Sequence, residues 1–232
     1  MGQVTFTVPA PNLPECPFPE TDSNDFRSLC WNYLGTPASG MDPVEVVSGS
    51  HVRIRATRRP FIPHGEAETP EEQKKALGFY GRRQQHRDFT AAVTASLPED
   101  ERARCGLVLL QNDFASLRLE LYRVSGAVKV RAVKACCERN RFTQEAKPGG
   151  TPPCREETLF ECPAAPRSAL KLAVSGQHVR FLCGGEELAQ ADASFLGSET
   201  SGGFIGAYVG LYACGGGEAW ADFEDFQYCG TV

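Results

Sequence analysis

Residues 79–93 read FYGRRQQHRDFTAAV, and the second half of that stretch decides the fold. From Phe89 onward the apolar side chains fall on alternate positions: Phe89, Ala91, Val93, Ala95 and Leu97. Successive side chains of a strand point to opposite faces, so these five share one face and predict a half-buried strand over 89–97. Immediately before it, Arg82 and Arg83 run into Gln84, Gln85 and His86, the polar group best suited to meet a partner.

Outward from this strand, similar short runs recur between turn residues. They predict strands over 51–57, 106–112, 117–124, 128–136, 169–174, 178–183, 204–214 and 219–228, with hairpin turns at Ser125-Gly126 and Ser175-Gly176-Gln177. The pattern is that of an all-β protein, a two-sheet antiparallel jelly-roll sandwich with almost no helix. Only 70–77, PEEQKKAL, has a helical composition, and it is short and polar. Segments 58–78 and 143–166, rich in Pro, Gly and Glu, read as surface insertions. Residues 1–24 form a proline-rich lead-in, which leaves 25–232 as a single sandwich of a size common for such folds, ~200 to 250 residues.

Composition narrows the function. Of the 232 residues 41% are hydrophobic, enough for a large core, and 14 Phe against 2 Met favour aromatic packing. A formal net charge of -5 supplies no basic field for a phosphate backbone, so nucleic acid is not an expected partner. No run approaches the ~18 apolar residues of a membrane span, and the opening MGQVTFTVPAP lacks the basic and apolar regions of a secretory signal. A soluble chain is expected, with an intracellular setting favoured. The ten cysteines lack metal-type spacing and read as mostly reduced, buried small hydrophobes. Neither GxSxG, HExxH, a P-loop nor a dinucleotide fingerprint occurs, so catalysis by this chain alone is not expected.

Several phrases in order carry a family resemblance: Asp25-Phe26 followed by LCWNYLGTP, then HVRIRA, GRRQQHRDFTAAV, CGLVLLQN, GFIGAYVGLYA and ADFEDFQY. Together they resemble the C-terminal concanavalin A-like β-sandwich domain of glycoside hydrolase family 43 β-xylosidases and α-L-arabinofuranosidases. In that family a five-bladed propeller precedes the sandwich and holds the catalytic carboxylates, and this chain has no room for one. The resemblance implies a non-catalytic accessory domain, partnered by such a propeller in cis or in trans and serving a site for xylo-oligosaccharide or arabinoxylan. A free-standing lectin-like module for xylan fragments is the competing reading, which an exposed line of aromatics such as Trp31, Tyr33, Tyr80 or Trp220 would favour. An enzyme in its own right would need a cleft with two facing carboxylates.

The resemblance also nominates site residues. Phe204 matches the aromatic that reaches the mouth of the sugar pocket, where a rigid ring stacks on a pyranose; the plainer reading is a core phenylalanine. Arg82, Arg83, Gln84 and His86 suit a propeller-facing or sugar-facing surface, since arginine forks pair with carboxylates and carbonyl edges. Internal hydrogen bonds that pin the neighbouring insertion are the alternative. Asp25 near the start, with Asp222, Glu224 and Asp225 near the end, raises a structural calcium, Asp222 and Asp25 being its candidate ligands. Solvated edge carboxylates are the other reading.

Overall fold

The computed structural model describes residues 24–34, 42–57, 77–112, 115–136, 155–201, 206–217 and 219–231. They form fourteen strands: β1 (Trp31–Tyr33), β2 (Val44–Ser48), β3 (His51–Arg55), β4 (Phe79–Arg83), β5 (Asp88–Ser96), β6 (Arg104–Asn112), β7 (Ala115–Val124), β8 (Ala127–Cys136), β9 (Arg155–Pro163), β10 (Arg167–Ser175), β11 (His178–Cys183), β12 (Glu186–Asp192), β13 (Tyr208–Cys214) and β14 (Trp220–Thr231). A 3-10 turn at Ser194–Leu196 and a one-turn helix, α1 (Ser198–Ser201), precede β13.

The strands make two seven-stranded antiparallel sheets, in the orders β1-β4-β13-β6-β7-β8-β9 and β12-β11-β10-β5-β14-β3-β2. We call them sheets A and B. The expected all-β, concanavalin A-like sandwich is the architecture found. The alternation read in 89–97 holds through β5, where Phe89, Ala91, Val93 and Ala95 are buried and the residues between them are half-buried. Between the sheets, Leu107, Leu109, Leu117, Leu119 and Leu121 of sheet A meet Val93, Leu170, Leu172, Phe181 and Phe223 of sheet B. Burial of this apolar area is the main stabilising term.

Five strands have no counterpart in the sequence reading, and four of them, β1, β2, β4 and β12, are three to seven residues long, too short or too polar for alternation to show. The insertion expected over 143–166 is corrected in its second half, because β9 lies within it and pairs along β8. A register shift opposite Ala132 and Val133 breaks its period of two. Segment 70–77, apart from Leu77, lies outside the described residues, as does the lead-in 1–23. The Ser125-Gly126 turn is confirmed, both residues having the positive φ that a tight hairpin requires.

Sheet A is also buried on its outer face. Arg118, Glu120 and Ser116 of β7 are 1%, 0% and 0% exposed, beside Phe79, Val108, Leu110 and Tyr212. Glu120 faces Gly106 on one side and Arg131 on the other, and Gly106 in turn faces Tyr212. With no side chain at Gly106, the Tyr212 hydroxyl reaches across and donates to Glu120. Arg131 Nη2 lies 2.5 Å from Glu120 Oε1, Arg118 Nη1 lies 3.6 Å from Oε2, and Arg118 also binds Glu156. Burial alone would raise the Glu120 carboxyl, but Arg118, Arg131 and the Tyr212 hydroxyl hold it below its ordinary value.

Candidate functional site

Strand β4 belongs to sheet A and β5 to sheet B, so residues 84–87 turn the chain from one sheet to the other at one end of the sandwich. Tyr228, near the end of β14, holds that corner. Its hydroxyl accepts the backbone N–H groups of Gln85 and His86, both at 3.2 Å, and lies 3.3 Å from His86 Nδ1. The Arg82 guanidinium sits 4.4 Å from the centre of the Tyr228 ring and donates to Gln85 Oε1 at 2.5 Å. Gln84 donates through Nε2 to the His86 carbonyl at 3.0 Å, and its backbone N–H donates to Ala207 O at 2.9 Å. The polar group singled out in the sequence is therefore divided. Arg82 is 1% exposed and serves an internal network, Arg83 is exposed with its guanidinium over the Tyr208 ring at 4.8 Å, and Gln84 and His86 are half-buried.

Gln84 to Arg87 form one wall of a hollow of about 360 Å³. Gln111 at the end of β6, Leu196 with Gly197 after the 3-10 turn, and Gly206 with Ala207 ahead of β13 complete it. Asn112 ties this wall together by donating to Ser201 O at 2.9 Å. Sequence reasoning missed Gln111, Leu196 and Tyr228 as parts of one site. Tyr228 carried the one available signal, a tyrosine in an alternating strand whose buried hydroxyl must find partners. Phe204 lies outside the described residues.

Asn24 Oδ1 accepts the N–H of Tyr228 at 2.9 Å, so the chain enters the sandwich beside this corner. Five residues on, Leu29 is 92% exposed, and Tyr33 is 41% exposed at the edge of sheet A. The other aromatics proposed for an exposed line are elsewhere. Trp31 and Tyr80 are buried, stacked at 5.0 Å and packed with Phe26 and Phe226. Trp220 is half-buried with Arg53 and Arg55 over its ring. The four do not form an exposed line.

The carboxylates nominated for calcium do not fit it as arranged. Both oxygens of Asp25 are bound by Arg27, at 3.0 and 2.7 Å, which holds that carboxyl down to about 2. Asp222 Oδ1 meets His51 Nε2 at 2.8 Å and Arg53 Nε at 3.1 Å. Calcium wants six to eight oxygens and repels a neighbouring guanidinium. Among the described residues no group of three or more His, Cys, Asp or Glu side chains is placed to hold a metal. The other two carboxylates of that segment are also accounted for: Glu224 pairs with Arg167, and Asp225 is exposed with φ 55° where β14 shifts register against β5. That bulge turns both Phe226 and Tyr228 inward, which strict alternation from Phe223 would not.

Cys105, Cys162, Cys183 and Cys229 form no disulfide, and burial pushes the Cys105 thiol up, so it is a core hydrophobe. No described helix is long and apolar enough to cross a membrane.

Against known proteins, the β-xylosidase C-terminal concanavalin A-like domain model matches residues 24–229. A non-reducing-end α-L-arabinofuranosidase of Bacteroides ovatus is 26% identical over 98% of the chain, which spans only 40% of that relative's length. A glycoside hydrolase family 43 protein of Bacillus licheniformis has the same fold, with TM-score 0.70 and 22% identity over 95% of this chain and 41% of that one. A functionally unknown protein of Saccharomyces cerevisiae shares the fold at TM-score 0.56 and 13% identity, over 88% of this chain and 97% of its own. With nine-tenths of its residues covered by that family, the chain belongs to the β-xylosidase C-terminal concanavalin A-like domains.

Proposed function

We propose that the chain is a non-catalytic accessory sandwich of a family-43 β-xylosidase or α-L-arabinofuranosidase. It supports a catalytic five-bladed propeller, in cis or in trans, and completes that propeller's pocket for xylo-oligosaccharide or arabinoxylan. The observation that carries this reading is the convergence at one end of the sandwich. Asn24, where any upstream chain arrives, is bound to Tyr228, the residue that also holds the 84–87 corner. A domain ahead of the lead-in would be joined to the sandwich at the end that carries Arg83, Gln84, the hollow and the exposed Leu29, which supports this reading. The 40% share of the Bacteroides relative leaves length for such a domain there.

In this reading Phe204 supplies the ring at the rim of the sugar pocket, and Arg83 and Gln84 meet the partner. Arg82 serves by holding the corner. The chain alone should release no nitrophenol from aryl xylosides or arabinosides above the buffer rate. Mixed with a matching propeller it should form a complex, and Phe204→Ala should weaken that complex while costing well below the ~3 to 5 kcal/mol of a buried Phe→Ala change. Activity of the repurified chain alone, or a large stability loss with unchanged propeller binding, would sink the reading. The competing reading is a free-standing lectin-like module, and the yeast protein shows only that this fold can make up almost all of a chain. That reading is disfavoured by the burial of Trp31 and Tyr80.

A further inference from the structure

The hollow at the 84–87 corner sits among three arginines, yet their charges are directed elsewhere. Arg82 is committed to Gln85 Oε1 and the Tyr228 ring, and Arg83 to the Tyr208 ring. The Arg87 guanidinium lies against the Gly176 turn, with Nη2 3.3 Å from where a side chain on Gly176 would begin. Among the described residues no carboxylate lines the hollow. Its polar lining is Gln84, Gln85, Gln111 and His86 together with Arg87, whose guanidinium is the one turned to the Gly176 turn.

Hydrogen-bond accounting fixes the imidazole. A phenolic oxygen accepts through its lone pairs and donates one proton. Two backbone N–H groups already occupy Tyr228 as acceptor, so its own proton goes to the remaining neighbour, His86 Nδ1. An Nδ1 that accepts leaves a neutral imidazole with its proton on Nε2. The Nδ1 edge is turned toward Tyr228 and Gly230, whose missing side chain gives it room, 2.1 Å from where a Cβ would sit. The proton is thereby left to Nε2 on the other side of the ring, and His86 is one of the residues that line the hollow. Gln84, donating Nε2 to the His86 carbonyl, keeps Oε1 to accept, and Gln85, whose Oε1 is taken by Arg82, keeps its N–H groups to donate. Fixed donors beside an acceptor suit hydroxyl groups, which both donate and accept, better than phosphate or carboxylate, which at neutral pH only accept and are repelled by the Gln84 Oε1 acceptor.

We propose that this hollow is a sugar subsite of the chain itself, taking an uncharged, hydroxyl-rich unit of pentose size, with His86 Nε2–H as its oriented donor and Tyr228 as the positioning residue. About 360 Å³ is toward the small end of ligand sites, which run ~300 to 1,000 Å³. The proposal rests on the reading that this corner faces carbohydrate, and it adds which groups contact the sugar and why a charged ligand is refused.

The test uses the whole chain, without a propeller. Long-range proton–nitrogen spectra, with His86→Gln to assign the signals, report the tautomer. The native chain should show His86 protonated on Nε2, and Tyr228→Phe should lose that preference. Titration with D-xylose and L-arabinose should then move the His86 ring signals in a saturable way, at least tenfold more weakly in Tyr228→Phe, while sodium phosphate moves nothing. Because Tyr228 also stacks on Phe89 at 5.0 Å, Gln84→Leu is the second variant: it should keep the tautomer and lose the sugar response. A native Nδ1–H tautomer, no response to either pentose, or a response to phosphate instead would overturn the proposal. Propeller capture is read separately. Capture without a sugar response removes the subsite and leaves the docking reading, and a sugar response without capture does the reverse.

Discussion

The two faces of sheet A bury their side chains by opposite means. Toward sheet B, Leu107, Leu117, Leu119 and Leu121 are fully buried among other hydrocarbon side chains. On the far face of the same sheet, Arg118, Glu120, Arg131 and Tyr212 form a charged, hydrogen-bonded network beside Phe79, Val108 and Leu110. The inner face gains from each group independently, since apolar transfer is roughly additive in area. The outer one has to satisfy all its members together, because a buried charge left alone costs several kcal/mol. Neighbouring residues of β7, Leu119 and Glu120, are therefore equally hidden but differently dependent on their surroundings.

The largest expected effect separates them. Glu120→Ala should destabilise by about 3 to 5 kcal/mol, because Arg131 loses its buried carboxylate and Arg118 is left with Glu156 alone. Adding Arg118→Met, Arg131→Met and Tyr212→Phe should recover most of that loss, as measured by denaturant unfolding. A quadruple variant no more stable than Glu120→Ala would mean that the charged face behaves like the apolar one. The pH dependence has a definite sign. Glu120 is held below its ordinary 4.5, so its contribution is complete above that value and is lost as the pH falls through the lower folded value. Tyr212 is raised well above 10, by burial first and by the Glu120 charge, so its contribution is complete below 10 and lost at still higher pH.

Leu119→Ala comes next, at about 2 to 5 kcal/mol. Substitution of Arg118 or Arg131 should not rescue it, and acid should not deepen the difference from the native chain. A smaller effect lies at the β14 bulge. Asp225→Val should cost about 1 to 3 kcal/mol, because a β-branched residue is strained at φ 55°, while Asp225→Gly should be neutral or mildly stabilising by thermal melting. A neutral valine there would show that the bulge relaxes. Least of all, chelator or millimolar calcium should leave the melting temperature unchanged, given the arginines that occupy Asp25 and Asp222. A fall in chelator would restore the metal. The Asp25–Arg27 pair is open to solvent, so its contribution, present above the ordinary carboxylate range and lost as pH falls through about 2, should be small and weakened by salt.

These contrasts also explain what was legible beforehand. Strand β5 was readable because one of its faces is the core and the other is partly wet, so polarity alternates in step with geometry. Strand β7, LRLELYRV after its first two residues, alternates just as well, but its polar positions are buried and not solvated, which no single-chain pattern distinguishes. Strand β9 was hidden by a one-residue shift, and β1 and β4 by their brevity. At the site, Arg82 to His86 stood out by composition. Which of them point inward depends on Tyr228, 142 residues after His86, and on Arg82 finding the face of that ring. The family resemblance located the neighbourhood, and the long-range hydrogen bonds divide its labour.

The position of β14 bears on how the protein is made. Its residues 220–231 are the last strand of the chain, yet it lies between β3 and β5 inside sheet B, pairing with both. Until it emerges from the ribosome, β3 and β5 carry open edges and the inner face of sheet B has no continuous surface. Loop closure over so many residues makes such pairings slow and leaves partly formed sheets prone to associate. A domain synthesised ahead of Asn24 would already be folded while this sandwich waits for its final strand, so truncations within 220–231 should produce insoluble chains, whereas equal trimming at the lead-in should not.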